Sequence, residues 1–250
     1  MRIEILGVPV DAMTKVEAVM KAANMLTERR GHFFTTPNPE MLVLASKDPV
    51  FRKVLRQADL ALPDGIGLLF AAKLRGKHIP ERVSGTDFFE DLAGLAVHKG
   101  LPVYLLGGGT TDVAKRAASA LRQKYPGLKV VGAESGGQVS RSAEGLWQMD
   151  AALLDRIRSA GPAMLFVAFG HGKQEMWITD HLASLPSVRL AIGIGGAFDF
   201  IAGDVPRAPA LMRKIGLEWL WRLLLQPSRL GRIWTAVVVF PWLALRDRNC

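Results

Sequence analysis

Two kinds of hydrophobic pattern alternate along this chain. Short apolar runs, of the length of buried strands, lie at 2–6, 32–36, 58–62, 102–106, 128–133, 163–169 and 188–194. Between them, apolar residues recur three and four positions apart, which predicts helices at about 11–26, 39–57, 64–76, 84–98, 110–124, 147–159 and 173–184. Asp11 is expected to cap the first of these helices. Strands that alternate with helices predict an α/β fold, a Rossmann-like parallel sheet with helices on both faces.

Glycines follow three of the predicted strands, at 107–109, 170–172 and 193–196. In open α/β sheets, ligands bind at the carboxyl ends of the strands, where glycine permits close approach and helix N-termini favour anions. Together the three turns favour nucleotide binding. They form no dinucleotide fingerprint, because Asp112 stands where G-x-G-x-x-G requires glycine, and no Walker A loop, because Gln174 follows Gly172-Lys173.

The composition bounds the kind of protein. The 250 residues carry a formal net charge of +9 and are 49% hydrophobic, with a mean hydropathy of +0.18. These values exclude intrinsic disorder and suit one domain with a modest appendage. One cysteine, Cys250, excludes a disulfide framework, and the N-terminus shows no signal-peptide pattern. The chain has no Asp-x-Asp and no His-x-x-x-His pair, so we expect no metal site.

Basic and apolar residues coincide at the end of the chain. Residues 207–250 hold eight basic and two acidic side chains and four of the six tryptophans. Their most apolar run, 233–245, is shorter than the about 20 residues that span a membrane, and its flanking Trp and Arg are typical of a membrane interface. We therefore divide the chain into a nucleotide-binding α/β domain, 1–206, and a membrane-associating appendage, 207–250. A helix packed on the core or on another subunit is the alternative.

Polar side chains follow several predicted strands. Asn38 lies between two prolines, and is either a ligand-binding amide or a turn residue. Asp64 is either a helix cap or a general base that faces a cleft. Gln174 begins a helix, and Asp199 follows the last glycine turn. Because the carboxyl ends of parallel strands share one edge of a sheet, we expect these side chains to form one line.

Short motifs run in order over nearly the whole chain: TPNPE at 36–40, LPDGIG at 62–67, RVSGTD at 82–87, LLGG at 105–108, GHGKQE at 170–175, GIGGAFD at 193–199, RAP at 207–209, and LEW at 217–219 through Arg222, Pro227, Arg229 and Arg232. In these motifs the chain resembles the WecG/TagA/CpsF glycosyltransferases, bacterial enzymes that extend lipid-linked sugars. It departs from them at His171-Gly172, where family members often have a small residue and proline, and in a longer, more apolar tail beyond Arg232.

The resemblance implies a hexosyltransferase of bacterial surface polysaccharide synthesis. It would move a hexose or N-acetylhexosamine, such as N-acetylmannosamine, its uronic acid or glucose, from a UDP-sugar to a polyprenyl-diphosphate-linked saccharide. The transfer would invert configuration and require no metal or other cofactor. The implied location is the cytoplasmic face of the inner membrane, as a peripheral protein and possible homo-oligomer. Nucleic acid is not an expected partner, because a long apolar run with aromatics suits lipid better.

The resemblance also implies roles for residues. Asp64 would take the proton from the acceptor hydroxyl, and Asn38 and Thr36 would position substrate beside it. The nucleotide would be held by Gly107, Gly108, Gly109, Gln174, Gly195 and Asp199, and the lipid diphosphate by Arg207, Arg213, Arg222 and Arg229.

Two other function classes stay open from the residues alone. One is a nicotinamide-dependent oxidoreductase on a Rossmann-like sheet, against which the missing fingerprint argues. The other is a non-catalytic nucleotide-binding module that its basic tail recruits to a membrane. Turnover of a UDP-sugar distinguishes the glycosyltransferase from both.

Overall fold

The computed structural model describes residues 1–109, 111–142, 144–145, 147–150 and 152–247. Its strands are β1 (Arg2–Ile5), β2 (Val8–Asp11), β3 (His32–Thr35), β4 (Leu60–Ala61), β5 (Val103–Gly107), β6 (Val130–Glu134), β7 (Ser140–Arg141), β8 (Trp147–Gln148), β9 (Met164–Ala168) and β10 (Leu190–Gly193). Its α-helices are α1 (Lys15–Met25), α2 (Pro39–Lys47), α3 (Pro49–Arg56), α4 (Ile66–Leu74), α5 (Gly85–Lys99), α6 (Thr111–Lys124), α7 (Leu153–Ala160), α8 (Lys173–His181), α9 (Ala197–Ile201), α10 (Ala210–Lys214), α11 (Glu218–Leu225), α12 (Leu230–Trp234) and α13 (Phe240–Arg246).

A parallel sheet forms the centre of the described structure. Its six strands run in the order β4-β3-β10-β9-β5-β6, and every neighbouring pair is parallel. Two antiparallel hairpins, β1-β2 and β7-β8, lie outside it. Helices cover both faces, and a helical segment ends the chain, so the predicted α/β class is confirmed.

Five strands of this sheet, all except the edge strand β6, are buried on both faces, which explains their continuous apolar sequences. In β5, Leu105 packs on the face covered by α1, α5 and α6, whereas Tyr104 and Leu106 pack on the opposite face with α7 and α8. Successive side chains of a strand point to opposite faces. Both layers of helices therefore pack against apolar faces of the sheet. This packing holds the loops at the carboxyl edge of the sheet in place.

Three elements differ from the prediction. Asp48 divides the predicted helix at 39–57 in two: the residue before a proline avoids the helical region, and the Asp48 carboxylate instead accepts from the N–H groups of Val50 and Phe51 to cap α3. The cap of α1 is Thr14. Asp11, predicted to be that cap, instead ends β2, where it pairs with Arg2.

The predicted helix at 147–159 is also wrong in its first part. Trp147–Gln148 forms β8, and the helix begins only at Leu153. The indole N–H of Trp147 donates to Asp180 at 2.9 Å, so a tertiary contact overrides the local helical spacing of apolar residues.

The end of the tail packs on the α/β domain through one side. Phe240 and Ala244 of α13 are buried in a cluster with side chains of α2, α4 and the β1-β2 hairpin, and Arg75 forms an ion pair of 2.8 Å with Asp247. The other side leaves Trp234 and Trp242 exposed. None of the helices in the described residues combines the length and the apolar composition of a membrane span.

Truncating Phe240 is expected to destabilise the fold. Its ring is 1% exposed, so Phe240→Ala leaves a cavity and should cost about 3–5 kcal/mol, measured by urea unfolding. Trp242→Ala is the matched control, because Trp242 lies two residues away and is 50% exposed. Equal unfolding midpoints for the two variants would show that the tail does not stabilise the core.

Candidate active site

A polar cleft of about 410 Å³ opens at the carboxyl edge of the six-stranded sheet. The loops after β3, β4, β5, β9 and β10 form its walls, and tail arginines close one side. Ten residues predicted for the site line this cleft: Thr36, Asn38, Asp64, Gly108, Gly109, Gln174, Gly195, Asp199, Arg222 and Arg229. A larger hollow of about 510 Å³ at the opposite edge, beside Phe33 and Asp59, contains none of them, so we place the chemistry in the smaller cleft.

Asp64 faces the cleft with 29% of its side chain exposed. It does not cap α4, whose N-cap is Gly65 and receives no side-chain hydrogen bond. One carboxylate oxygen accepts from the Gly85 N–H at 2.9 Å, and the other lies 3.6 Å from the Arg82 guanidinium. Burial raises the pKa of Asp64 to about 6, against the opposing effects of Gly85 and Arg82. This carboxylate is therefore ionised at neutral pH yet more basic than an ordinary aspartate, as a general base requires.

Gly85 permits a close arrangement around Asp64. A Cβ atom at this position would lie 2.9 Å from the Thr36 hydroxyl oxygen and 3.3 Å from an Asp64 carboxylate oxygen. Any side chain at Gly85 would therefore push the two groups apart. The Thr36 side chain is buried and lines the cleft next to Asp64.

Asn38 caps a helix and also lines the cleft. Its side-chain oxygen accepts from the Met41 N–H at 3.0 Å and caps α2, while the residue also lines the cleft. The capping bond fixes the orientation of the amide, and the amide nitrogen is the donor that is left for a ligand.

Gln174 joins two of the glycine turns. Its amide nitrogen donates to Glu175 at 2.7 Å, and its amide oxygen accepts from the Gly195 N–H at 3.0 Å. Glu175 also accepts from the Gly172 N–H at 2.7 Å, and burial raises the pKa of this carboxyl to about 7. Since both ends of its amide are used within the protein, Gln174 shapes the cleft wall by holding the Gly195 turn.

Gly107 lies behind the cleft wall. A Cβ atom there would lie 2.6 Å from the Ala168 backbone, and its φ is +115°, a conformation that suits glycine alone. The Gly108 N–H then donates to the Ala168 carbonyl at 3.0 Å. This close approach of β5 to β9 presents Gly108 and Gly109 to the cleft.

Arg222 brings a buried positive charge to the cleft. Its Nε and Nη2 atoms are buried and have no hydrogen-bond partner among the described residues; Asp199 lies 3.8 Å from Nη2. Burial, and then the charge of Arg229, lower the pKa of Arg222 to about 10. Buried donors without partners are costly, so this guanidinium indicates a site for an anionic ligand.

Arg207 and Arg213, the other two predicted anion-binding arginines, do not line the cleft. Arg207 pairs with Asp87 at 2.9 Å and with Glu218 at 3.1 Å. Arg213 donates to the Ala208 carbonyl at 3.1 Å and lies 3.8 Å from Asp87. Acidic partners compensate both charges in this structure, so a role for them with a lipid diphosphate remains a prediction.

The model of the WecG/TagA/CpsF family of glycosyl transferases matches residues 3–249. The chain belongs to this family. Three relatives carry the name N-acetylglucosaminyldiphosphoundecaprenol N-acetyl-beta-D-mannosaminyltransferase. The protein of Bacillus spizizenii is 35% identical over 83% of this chain and 77% of its own length, and that of Bacillus subtilis is 33% identical over 88% and 80%. The protein of Staphylococcus aureus NCTC 8325 is 29% identical over 93% and 88%. The expected glycosyltransferase class is thus confirmed over the oxidoreductase and the non-catalytic module.

This glycosyltransferase also has cleft residues, Arg232 and His171, to which sequence reasoning assigned no role in the site. Arg232 donates to Glu40 at 2.6 Å, and its Nη2 lies 3.0 Å from the Nδ1 atom of His171. An arginine can only donate, so His171 is neutral with Nδ1 as acceptor, and burial lowers its pKa accordingly. The available signals were the family motif that contains Arg232 and the departure from the family pattern at His171-Gly172.

Proposed function

We propose that the protein transfers N-acetylmannosamine from UDP-N-acetylmannosamine to a polyprenyl-diphosphate-linked N-acetylglucosamine. The observation that carries this proposal is that one cleft is lined both by a carboxylate, Asp64, and by a guanidinium, Arg222, whose buried Nε and Nη2 have no hydrogen-bond partner among the described residues. Family membership supports the reaction class, and the names of the relatives support the identity of both sugars. UDP-glucose and the uronic acid of the donor remain members of the panel to be tested.

The transfer would be a single displacement. A sugar hydroxyl is a weak nucleophile, so Asp64 would take its proton as the hydroxyl oxygen attacks the anomeric carbon. The bond from that carbon to the UDP oxygen breaks on the opposite side, which inverts the configuration. Thr36 and the amide nitrogen of Asn38 would orient the acceptor beside Asp64, since all three residues line the cleft.

The departing diphosphate develops negative charge, and we assign its stabilisation to arginine. Arg222 lies against Gly196 and Asp199, on the side of the glycine turns, and would meet the UDP diphosphate with help from the turn N–H groups. Arg229 and Arg232 line the tail side of the cleft and would meet the lipid diphosphate. Because these arginines can neutralise the developing charge, we propose that transfer requires no metal.

A panel of UDP-sugars with a defined polyprenyl-diphosphate acceptor tests the proposal. In the presence of a metal chelator, we expect N-acetylmannosamine alone among the sugars of the panel to be transferred to the lipid acceptor. One UDP should be released for each sugar transferred. Release of UDP without a glycosylated lipid, or saturable NADH binding without UDP binding, would contradict it. A requirement for added Mg²⁺ would contradict the metal-independent step alone.

The exposed side of the tail would bind the cytoplasmic face of the inner membrane. Its exposed apolar side chains are Leu224, Leu225, Leu230, Trp234, Val237, Val238, Trp242 and Leu245. Arg246 stacks over the Trp242 ring at 4.0 Å, and would lie among anionic head groups while the ring enters the interface.

Replacing both exposed tryptophans should release the protein from membranes. The double variant Trp234→Glu, Trp242→Glu is expected to bind anionic vesicles at least about tenfold more weakly, because it removes apolar surface from the interface and adds two charges. Vesicle flotation measures this. The matched control is Val16→Glu, Met20→Glu, which adds the same charges at exposed positions on α1. Flotation of both variants at the wild-type level would place membrane binding elsewhere.

A further inference from the structure

A carboxylate from the tail lies close to the catalytic cleft but does not line it. Glu218, in the first turn of α11, has 16% of its side chain exposed. One carboxylate oxygen accepts from Arg207 at 3.1 Å, and the other lies 3.8 Å from Nη1 of Arg82. Family resemblance assigns no role to this residue, and the mechanism above does not use it.

Arg82 is shared between two carboxylates. Its Nη1 lies 3.6 Å from Asp64 and 3.8 Å from Glu218, which is beyond hydrogen-bond distance for both. Its Nη2 is held by the Arg213 carbonyl at 3.0 Å. The guanidinium thus lies between the two acids, anchored to the tail backbone and bound closely to neither.

The distance between Arg82 and Asp64 affects how strong a base Asp64 is. An arginine that moved onto Asp64 to form a close bidentate pair would stabilise the ionised carboxylate, and a stabilised carboxylate is a weaker proton acceptor. Glu218 attracts the same nitrogen of this guanidinium, Nη1, at 3.8 Å, and its own negative charge opposes ionisation of Asp64.

We propose that Glu218 is a positioning residue that acts through Arg82, holding the guanidinium away from Asp64 so that this carboxylate can accept the acceptor's proton. The inference rests on the proposed function, in which Asp64 is the base. It adds that the strength of the base depends on a residue of the tail that touches no substrate.

Other charges that act on Asp64 do not replace Glu218. Asp87 also raises the pKa of Asp64, but by less than Glu218 does, and within the described residues its ion pairs are with Arg207 and Arg213 rather than with Arg82. The position of the Arg82 guanidinium therefore depends mainly on the charges of Glu218 and Asp64.

Glu218→Gln tests the inference, because it removes the charge and keeps the size and an acceptor for Arg207. The acidic limb of the kcat profile should move to lower pH, since Asp64 then becomes easier to ionise. The plateau kcat should fall about three- to tenfold with the weaker base, while KM for the UDP-sugar stays unchanged. Glu218→Asp, which restores the charge, should return the limb towards the wild-type position, and Asp155→Asn, in an exposed pair with Arg158, should leave it unmoved.

A double-mutant comparison decides whether Glu218 acts through Arg82. In an Arg82→Gln background, adding Glu218→Gln should shift the limb much less than it does in the wild type. Loss of folded protein lowers the profile at every pH without moving its midpoint, so partial misfolding does not imitate the effect. The inference is overturned if Glu218→Gln leaves both the midpoint of the acidic limb and the plateau kcat at their wild-type values. It is also overturned if Glu218→Gln shifts the limb equally in the wild-type and Arg82→Gln backgrounds. If Asp64→Asn itself keeps wild-type activity, Asp64 is not the base, and the assignment of the base in the proposed function fails instead.

Discussion

Replacing Asp64 with asparagine is expected to lower kcat by about 10²- to 10⁴-fold, the usual contribution of a general base. Asparagine keeps the shape of the side chain and an oxygen that can accept from the Gly85 N–H, which lies 2.9 Å from the native carboxylate. It cannot take a proton from the acceptor hydroxyl. Because Asp64 contributes no charge to diphosphate binding, the dissociation constant of UDP should change little.

The pH profile of the wild type supports the same assignment. Burial raises the pKa of Asp64 to about 6, and the base must be ionised to act, so activity should rise as pH increases through about 6 and level off above it. Calorimetric titration of UDP and a melting curve for Asp64→Asn separate lost chemistry from lost folding. Near-wild-type turnover by this variant would show that another group accepts the proton.

Arg222→Gln should weaken UDP binding by about 10- to 100-fold, because a buried charge-assisted hydrogen bond to phosphate is lost. Arg222→Lys should recover only part of the affinity, since an ammonium cannot make the bidentate contact. Arg222→Gln should melt close to the wild type, because the buried Nε and Nη2 atoms have no hydrogen-bond partners in the described structure and the ion pair that is lost, with Asp199, is 3.8 Å long.

Arg213→Gln is the matched control for this prediction. Arg213 is also a tail arginine, but it lies outside the cleft and near Asp87. Calorimetric titration with UDP should give this variant nearly the wild-type dissociation constant. If Arg222→Gln binds UDP as tightly as the wild type, Arg222 serves the lipid diphosphate instead, and the KM for the acceptor should then rise.

The central sheet could be predicted from sequence because five of its six strands are buried on both faces and form continuous apolar runs. The β2 strand, Val8–Asp11, escaped prediction because it contains a proline and ends at Asp11, which the sequence analysis assigned to a helix cap. The break at Asp48 follows a local rule, that the residue before proline leaves the helix. The false helix start at Trp147 depended on a tertiary contact with Asp180, which no local pattern contains.

The candidate site, like the fold, contains residues that local sequence could predict and residues that it could not. Asp64 and Asn38 could be found because each follows a strand, and the carboxyl ends of parallel strands share an edge. The contact between Arg82 and Glu218 could not be found from sequence, because it depends on how α11 packs beside the loop before α5. These two segments are far apart in the chain. Arg207 and Arg222 have equal charge in sequence, and only the structure shows that acids compensate one and leave the other's buried donors without hydrogen-bond partners.

The anomeric configuration of the product tests the central claim most directly. The UDP-sugar carries its diphosphate in the α configuration, and a single displacement assisted by one base, Asp64, must deliver a β-linked sugar. The one-bond coupling between C1 and H1, measured by NMR on the lipid-linked product made from ¹³C-labelled donor, distinguishes the two anomers. A β-linked product is the predicted result, and an α-linked product would contradict the mechanism.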